Sequence, residues 1–593
     1  MEEILKNADE AYQKGDYAKA LGLLAPLEQE DDVSVQVLCN LGVLYGHTGA
    51  LQKAVDAYQK ALKKDPAFMQ TYRGFGALLQ AIGKPKEALH VIRLGLKKNP
   101  REEKLFFLAG SVHEALGEYA HALEAYKNTI ALNPKFAKAI NAMGGVLYKQ
   151  GRFKEASAMF ELTLQTDPSF AEAYSNLGAA LNRQKRYDEA KIALETAIEK
   201  LPSSAGAYTN LGNLYNKLRR FEKAITYHER AIALDPKGPF AYANLAIAQK
   251  SIGLHVEAIE NFNKAIIRHP GFVNAHFDLA TTLLSLGDFE EGFAQYEWRF
   301  KKEEMRGFIA TYRDIFSQPM LSKTTDARGK TVLVHSEQGF GDSIMFVRFA
   351  SVLKERFACR VVLKVRDELV TLFENLEGVD EVISRSSQTP DFDFHLPMMS
   401  LAYVLDVKTK EAFGGAPYLH VTPTLDFGLS KTKLNVGICW SASATGESFE
   451  GKVFSLKYFE PLVKNENLSL VSLQVDGAKE DIALFGYEDA IQDVSALLSD
   501  FSKTAELVKQ LDLVITADTS VAHLCGALGV RTWVVLQKNP DWRWENTGKH
   551  AYMYNSVLLL RQAFDGDWSS VFSEVYALVE TEFSAKKGLV DES

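Results

Sequence analysis

The chain is poor in cysteine. Only Cys39, Cys359, Cys439 and Cys525 occur among 593 residues, far apart and with no C-x-x-C pair. That spacing excludes a disulfide framework and a cysteine-based zinc module. Isolated thiols fit a reducing compartment, so a cytoplasmic location is expected. No run of about 18 apolar residues exists, which excludes a membrane-spanning helix of the usual kind. The first residues, MEEILKNADEAYQKGDY, are acidic and lack an apolar core, so no signal peptide is expected. Positive charge is also in deficit. Lys and Arg number 67 against 76 Asp and Glu, a net charge of −9. No nucleic-acid partner is expected from that balance. Hydrophobic residues at 47% and charged residues at 24% describe ordinary globular protein, and the length allows about four domain equivalents.

What is present is periodic. Gly42, Gly76, Gly110, Gly144, Gly178 and Gly212 recur every 34 residues. Ala54, Ala88, Ala122, Ala156, Ala190, Ala224 and Ala258 keep the same period, as do Pro66, Pro100, Pro134, Pro168, Pro202, Pro236 and Pro270. Each unit reads as two amphipathic helices. The small residues let them approach, and the proline ends the second. One unit cannot bury its apolar face alone, so neighbours must stack. The pattern resembles the tetratricopeptide repeat over residues 5–300, with about 8–9 repeats and a domain of 1–300.

A further ladder precedes the Leu-Gly position. Asn40, Asn176, Asn210 and Asn244 occupy it and Asp278 continues it, while Gly74, Leu108 and Ala142 interrupt it. An amide donates and accepts at once, which suits pairing with a peptide backbone. The run Asn176, Asn210, Asn244, Asp278 resembles the asparagine ladder of the protein O-GlcNAc transferase superhelix, which grips an extended acceptor peptide. The alternative is that these amides bond only to neighbouring helices.

The period changes after a polar connector, 301–328. Apolar runs rich in Val, Ile and Leu alternate with helical patterns, predicting βαβ units and parallel sheets. Strands are expected at 331–335 and 360–365 and, after a loop at 413–434, at 435–440, 468–474, 511–516 and 532–536. A closing helix is expected at 568–583. Two Rossmann-like halves are anticipated, 329–425 and 426–593.

Three motifs then stand in order: HSEQGFGDSIMFVRFA (335–350), LDLVITADTSVAHLCGALGV (511–530) and DWRW (541–544). Together with YEWRF at the end of the repeats, they resemble bacterial tetratricopeptide-repeat proteins fused to a glycosyltransferase family 9, heptosyltransferase-like domain. The match covers about 290–580. The resemblance implies a GT-B fold, with the acceptor on the N-terminal half and the nucleotide sugar on the C-terminal half.

Gly339 and Gly341 permit a tight turn and close approach of a ligand to backbone amides. Asp342 follows them and, by the resemblance, matches the base that takes the acceptor's proton in an inverting transfer. The bland alternative is a helix-capping carboxylate. Asp518, Thr519, Ser520 and His523 again follow a strand and open a helix, where amides and hydroxyls can hold a departing phosphate. The matching family residues contact the nucleotide. Ser441, at the end of a strand, matches a phosphate contact, although Ala442 stands where relatives often carry glycine. Lys452 falls where relatives have arginine; it is either a phosphate contact or a surface lysine. Gln474 is a candidate contact to base or ribose. Glu337 and Gln338 are further candidates for sugar or acceptor, and the 541–544 run reads as a clasp beside the cleft. Asp391-Phe392-Asp393 lies in the acceptor half, so no metal or other cofactor is expected beyond the nucleotide-sugar co-substrate.

The expected activity is O-glycosylation of Ser or Thr on a polypeptide. Flagellin is the acceptor partner that the resemblance implies, and CMP-nonulosonate, UDP-hexosamine and ADP-heptose remain open as donors. A lipid-linked glycan as acceptor and a non-enzymatic scaffold are the alternatives. Oligomeric state is not readable.

Overall fold

A computed structural model describes residues 2–30, 32–302, 316–441 and 452–591. The chain forms two compact units, Met1–Lys237 and Gly238–Ser593.

In the first unit the glycine ladder explains the hairpins. Each glycine of a first helix lies under a large side chain of its partner. A Cβ on Gly110 would meet Tyr126 at 2.5 Å, one on Gly144 would meet Phe160 at 2.7 Å, and one on Gly178 would meet Leu194 at 2.4 Å. In Gly212's hairpin the covering side chain is His228, at 2.5 Å. Six helix pairs follow this plan among the described residues, from Val35–His47 to Phe221–Leu234, and Ala8 takes the glycine's place in the pair that precedes them. The second helices stop at an Asp/Asn-Pro step where that step occurs. Asp65 before Pro66 is extended, with φ −140° and ψ 94°, and its carboxylate accepts from Ala67 N–H at 2.8 Å. Turns between the helices need positive φ. Gly49, Gly83, Gly117 and Gly151 supply it, but Lys185 (φ 62°) and Arg219 (φ 55°) occupy the same position in two later repeats.

The second unit opens with two more helix pairs, Pro239–Ser251 with His255–Arg268 and Val273–Ser285 with Phe289–Tyr296. The repeat period therefore runs to about 300, whereas the compact units divide at 237/238. The physical reason is burial: Ala280, Leu284, Phe289, Phe293 and Tyr296 lie in one apolar core with the α/β strands that follow.

Those strands are β1 (Thr331–His335), β2 (Arg360–Val365), β3 (Glu381–Ser384), β4 (Phe394–Pro397), β5 (Leu434–Cys439), β6 (Leu468–Ser472), β7 (Ile491–Asp493), β8 (Leu513–Thr516), β9 (Thr532–Leu536) and β10 (Val557–Arg561). They form a four-stranded sheet, β3-β2-β1-β4, and a six-stranded sheet, β10-β9-β8-β5-β6-β7. Every pairing of these strands is parallel. Both sheets are the α/β arrangement anticipated for the second half. The closing helix runs from Trp568 to Asp591, longer than expected.

One sequence expectation needs revision. The end of the connector is not merely a linker, because Met320 bridges His395 beside β4 and Leu321 is fully buried. Asp393 ties β4 to β1: its carboxylate accepts from Thr331 N–H at 2.9 Å and pairs with Lys330 at 3.2 Å.

Candidate functional site

In the six-stranded sheet the strand order reverses between β5 and β8; in the smaller sheet it reverses between β1 and β4. Ligands of open parallel sheets bind beyond the carboxyl ends of strands at such points. The loops there carry the motifs singled out in the sequence. Ala517 N–H donates to Cys439 O at 2.8 Å, which holds the β8 loop to the end of β5. Asp518 and Thr519 follow, and the helix Ser520–Leu528 begins. Its N-cap, Thr519, makes no side-chain capping bond, so the first-turn amides carry the positive end of the helix unmasked.

From the other sheet, Gly339, Gly341 and Asp342 follow β1 at the start of the helix Phe340–Phe346. A Cβ on Gly341 would meet the His523 ring at 2.8 Å, so glycine is what allows the two loops to touch. His523 itself is buried. One ring nitrogen lies 3.0 Å from the Tyr554 hydroxyl, and the ring stacks on Trp544 at 4.8 Å. Burial, reinforced by Arg543 and opposed by Asp518, brings its pKa down to about 4. It is a neutral imidazole wedged between the loops at pH 7.

Charge is carried by a chain of side chains. Asp342 pairs with Arg543. Arg543 reaches Asp541 at 2.5 Å, Lys452 lies 3.8 Å from Asp541 and 3.0 Å from Asp518, and the Trp544 indole donates to Asp518 at 2.6 Å. Burial opposes ionisation of Asp541, but Arg543 and Lys452 outweigh it and hold that carboxyl below its usual range. Burial likewise works against the Lys452 charge, and Asp518 and Asp541 overturn it, so the ammonium is held more firmly than usual. Two cations are thus shared among three carboxylates. Lys452 is not a surface lysine. Lys250, from the helix Pro239–Ser251, donates to Thr281 at 2.6 Å; burial lowers its pKa, and Asp278 and Asp541 oppose that only in part.

Other predicted residues have structural partners. Gln474 is buried and clamps the β5 loop: its oxygen accepts from Trp440 and Ser441 N–H, and its amide donates to Ser441 O at 3.0 Å. Ser441 is held in place by the same clamp. Ala442 lies outside the described residues. Glu337 is withdrawn from the site. It is 2% exposed and takes two bonds from Arg299 of the YEWRF run, at 2.7 and 3.1 Å. Gln338 exchanges hydrogen bonds with the Tyr296 hydroxyl.

The ladder asparagines bond to the preceding hairpin. Asn176 donates to Asn141 at 3.2 Å and Asn210 to the Ser175 hydroxyl at 3.0 Å, as the alternative reading required. Both remain half-buried, so a carbonyl oxygen can still face a ligand. Asn244 is half-buried on the Pro239–Ser251 helix, and Asp278 stands beside Lys250.

Sequence reasoning read the 541–544 run as a clasp beside the cleft without giving Asp541 or Arg543 a charge-pairing role, and it did not single out Lys250 or Tyr554. Arg543 carried a signal, a lone arginine between tryptophans inside a motif already noted. Lys250 and Tyr554 carried none.

Tetratricopeptide-repeat family models match residues 35–68, 114–181, 170–200 and 205–237. The first 290 residues or so are tetratricopeptide repeats. Such repeats suggest protein–protein interaction. No curated protein matches the chain. Among solved structures, the Cut9–Hcn1 hetero-tetramer of APC/C is 15% identical with a TM-score of 0.38, over 49% of this chain and 56% of that one. YrrB, a tetratricopeptide-repeat protein with an unusual peptide-binding site, is 22% identical with a TM-score of 0.27, over 32% and 96%. A tetratricopeptide-repeat protein from Parabacteroides merdae ATCC 43184 is 19% identical with a TM-score of 0.36, over 42% and 98%. None of the described helices is long and apolar enough to cross a membrane.

Proposed function

We propose that the second unit is a GT-B glycosyltransferase, and that it moves a sugar from a nucleotide-activated donor to a Ser or Thr hydroxyl of a polypeptide recruited by the repeats. The observation that carries this reading is the pairing of Asp342, from the β1 loop, with Arg543, whose other partner Asp541 leads through Lys452 to Asp518 at the β8 helix start. A base candidate and a set of anion-holding groups thus stand together where the β1 and β8 loops touch.

The donor's phosphate takes Lys452, Arg543 and the first amides of Ser520–Leu528 as partners, replacing carboxylates that occupy those cations. Asp342, released from Arg543, accepts the hydroxyl proton of the acceptor. The acceptor oxygen bonds to the anomeric carbon as the bond from that carbon to the phosphate oxygen breaks. The electron pair leaves with the nucleotide, and its growing charge is met by groups already oriented. The repeats supply acceptor at high local concentration.

The test is intact-mass spectrometry of a candidate acceptor, flagellin first, incubated with the full chain and a panel of nucleotide sugars. The expected result is a sugar increment with wild type and a rate at least about 100-fold lower with Asp342→Asn. An increment that forms equally fast with Asp342→Asn overturns the assignment of the base. No increment with any acceptor and donor pair overturns the enzyme reading.

A further inference from the structure

The repeats provide their own internal comparison, and one hairpin departs from it at three positions together. Where the neighbouring repeats place Leu79, Leu147 and Leu181, this hairpin has His113. Where they place Lys84, Arg152 and Arg186, it has Glu118; where they place Glu87, Glu155 and Glu189, it has His121. In those repeats the leucine is buried and the two charges pair across one helical turn, at 3.3 Å for Lys84–Glu87 and 2.6 Å for both Arg152–Glu155 and Arg186–Glu189. Here the apolar residue has become an imidazole, the cation a carboxylate and the anion a second imidazole.

The three substituted side chains converge. His113 closes the helix Glu103–Ala115, Gly117 turns the chain with φ 74°, and Glu118 precedes the helix Tyr119–Leu132 that carries His121. Glu118 stands at the N-cap but makes no capping bond. One of its oxygens lies instead 2.6 Å from His113 Nδ1 and 4.0 Å from His121 Nδ1. The two rings sit 5.2 Å apart, and one ligand atom from each residue lies within 4.8 Å of the others. The Glu118 carboxylate thus faces two imidazoles instead of the amides of its own helix.

We infer that His113, Glu118 and His121 form a binding site for a divalent transition-metal ion of the zinc class. Two imidazole nitrogens and one carboxylate oxygen are a borderline donor set that favours zinc over magnesium or calcium. A tetrahedral ion keeps its fourth position for water or for a side chain of a bound partner. The site spans both helices of a hairpin, so the ion clips the turn.

The experiment is calorimetric titration of the full chain with ZnCl2, and with CoCl2 followed by visible absorption. The control is the triple variant H113L/E118R/H121E, which writes the neighbouring repeats' residues into this hairpin and preserves its fold, checked by circular dichroism. The expected result is one saturable zinc site in wild type, a tetrahedral cobalt spectrum, and affinity lower by more than about tenfold in the triple variant and in His121→Ala. Excess magnesium leaves the wild-type titration unchanged. Equal zinc affinity in wild type and the folded triple variant overturns the inference, as does the absence of a saturable site in wild type.

Discussion

The repeats and the candidate site use burial in opposite ways. In the repeats each hairpin closes on a glycine facing one large side chain, mostly apolar, and the device recurs from Gly42 to Gly212. In the α/β part of the second unit, Asp342, Arg543, Asp541, Lys452 and Asp518 are set beside one another, largely shielded from solvent, and the arrangement occurs once among the described residues. A periodic interior can lose one contact and keep its neighbours. A singular charged interior depends on every partner being present. The difference shows where the chain is a support and where it is specific.

The largest break in that comparison comes from the Arg299–Glu337 pair in the second unit. Arg299→Met leaves Glu337 buried without its partner and costs about 3–5 kcal/mol. The double variant Arg299→Met/Glu337→Leu recovers most of that loss, measured by urea unfolding. The exception inside the repeats comes next. His228 fills the slot that Tyr126 and Phe160 fill elsewhere, and burial brings its pKa down to about 4, below the ordinary 6.5. The unfolded state therefore binds the proton more readily. Stability is full above pH 6.5 and falls as pH drops toward 4, by about 2 kcal/mol at pH 5. His228→Phe removes that slope from thermal unfolding of the full chain.

Glycine substitutions sharpen the same contrast. Gly178→Ala places a Cβ 2.4 Å from Leu194 and costs about 1–3 kcal/mol. Gly145→Ala, also helical but with nothing within 4 Å, gains about 1 kcal/mol. The smallest effect is at the turns: Lys185→Gly relieves a left-handed backbone and stabilises by about 1 kcal/mol or less. Chemical denaturation ranks all three.

Legibility in the sequence followed the reach of each interaction. The helix pairs were readable because period, small residues and proline all act within 34 residues. Strands β1, β2 and β9 were readable as apolar runs between turns. Strands β3, β4 and β7 were missed because three or four residues with Glu381, His395 or Gln492 among them carry no periodic signal. Strand β10 was apolar but followed a loop without a clear boundary. Asp342 and Asp518 were legible as strand-to-helix residues. Their partners were not: Arg543 lies 201 positions from Asp342, and nothing local to either fixes that pairing. Gln474, just past the end of β6, is held by the β5 loop, and His523, inside the helix Ser520–Leu528, is packed against Tyr554 and Trp544; neither partnership is visible in local sequence.

Arg299 has a practical consequence for dissecting the molecule. The change of sequence period near 300 invites a cut there. Such a cut removes Phe289, Phe293 and Tyr296 from the core and takes the guanidinium away from Glu337. A fragment begun at 301 would therefore start with an open seam and a stranded charge. The compact unit that holds the strands begins at Gly238, two hairpins upstream of them.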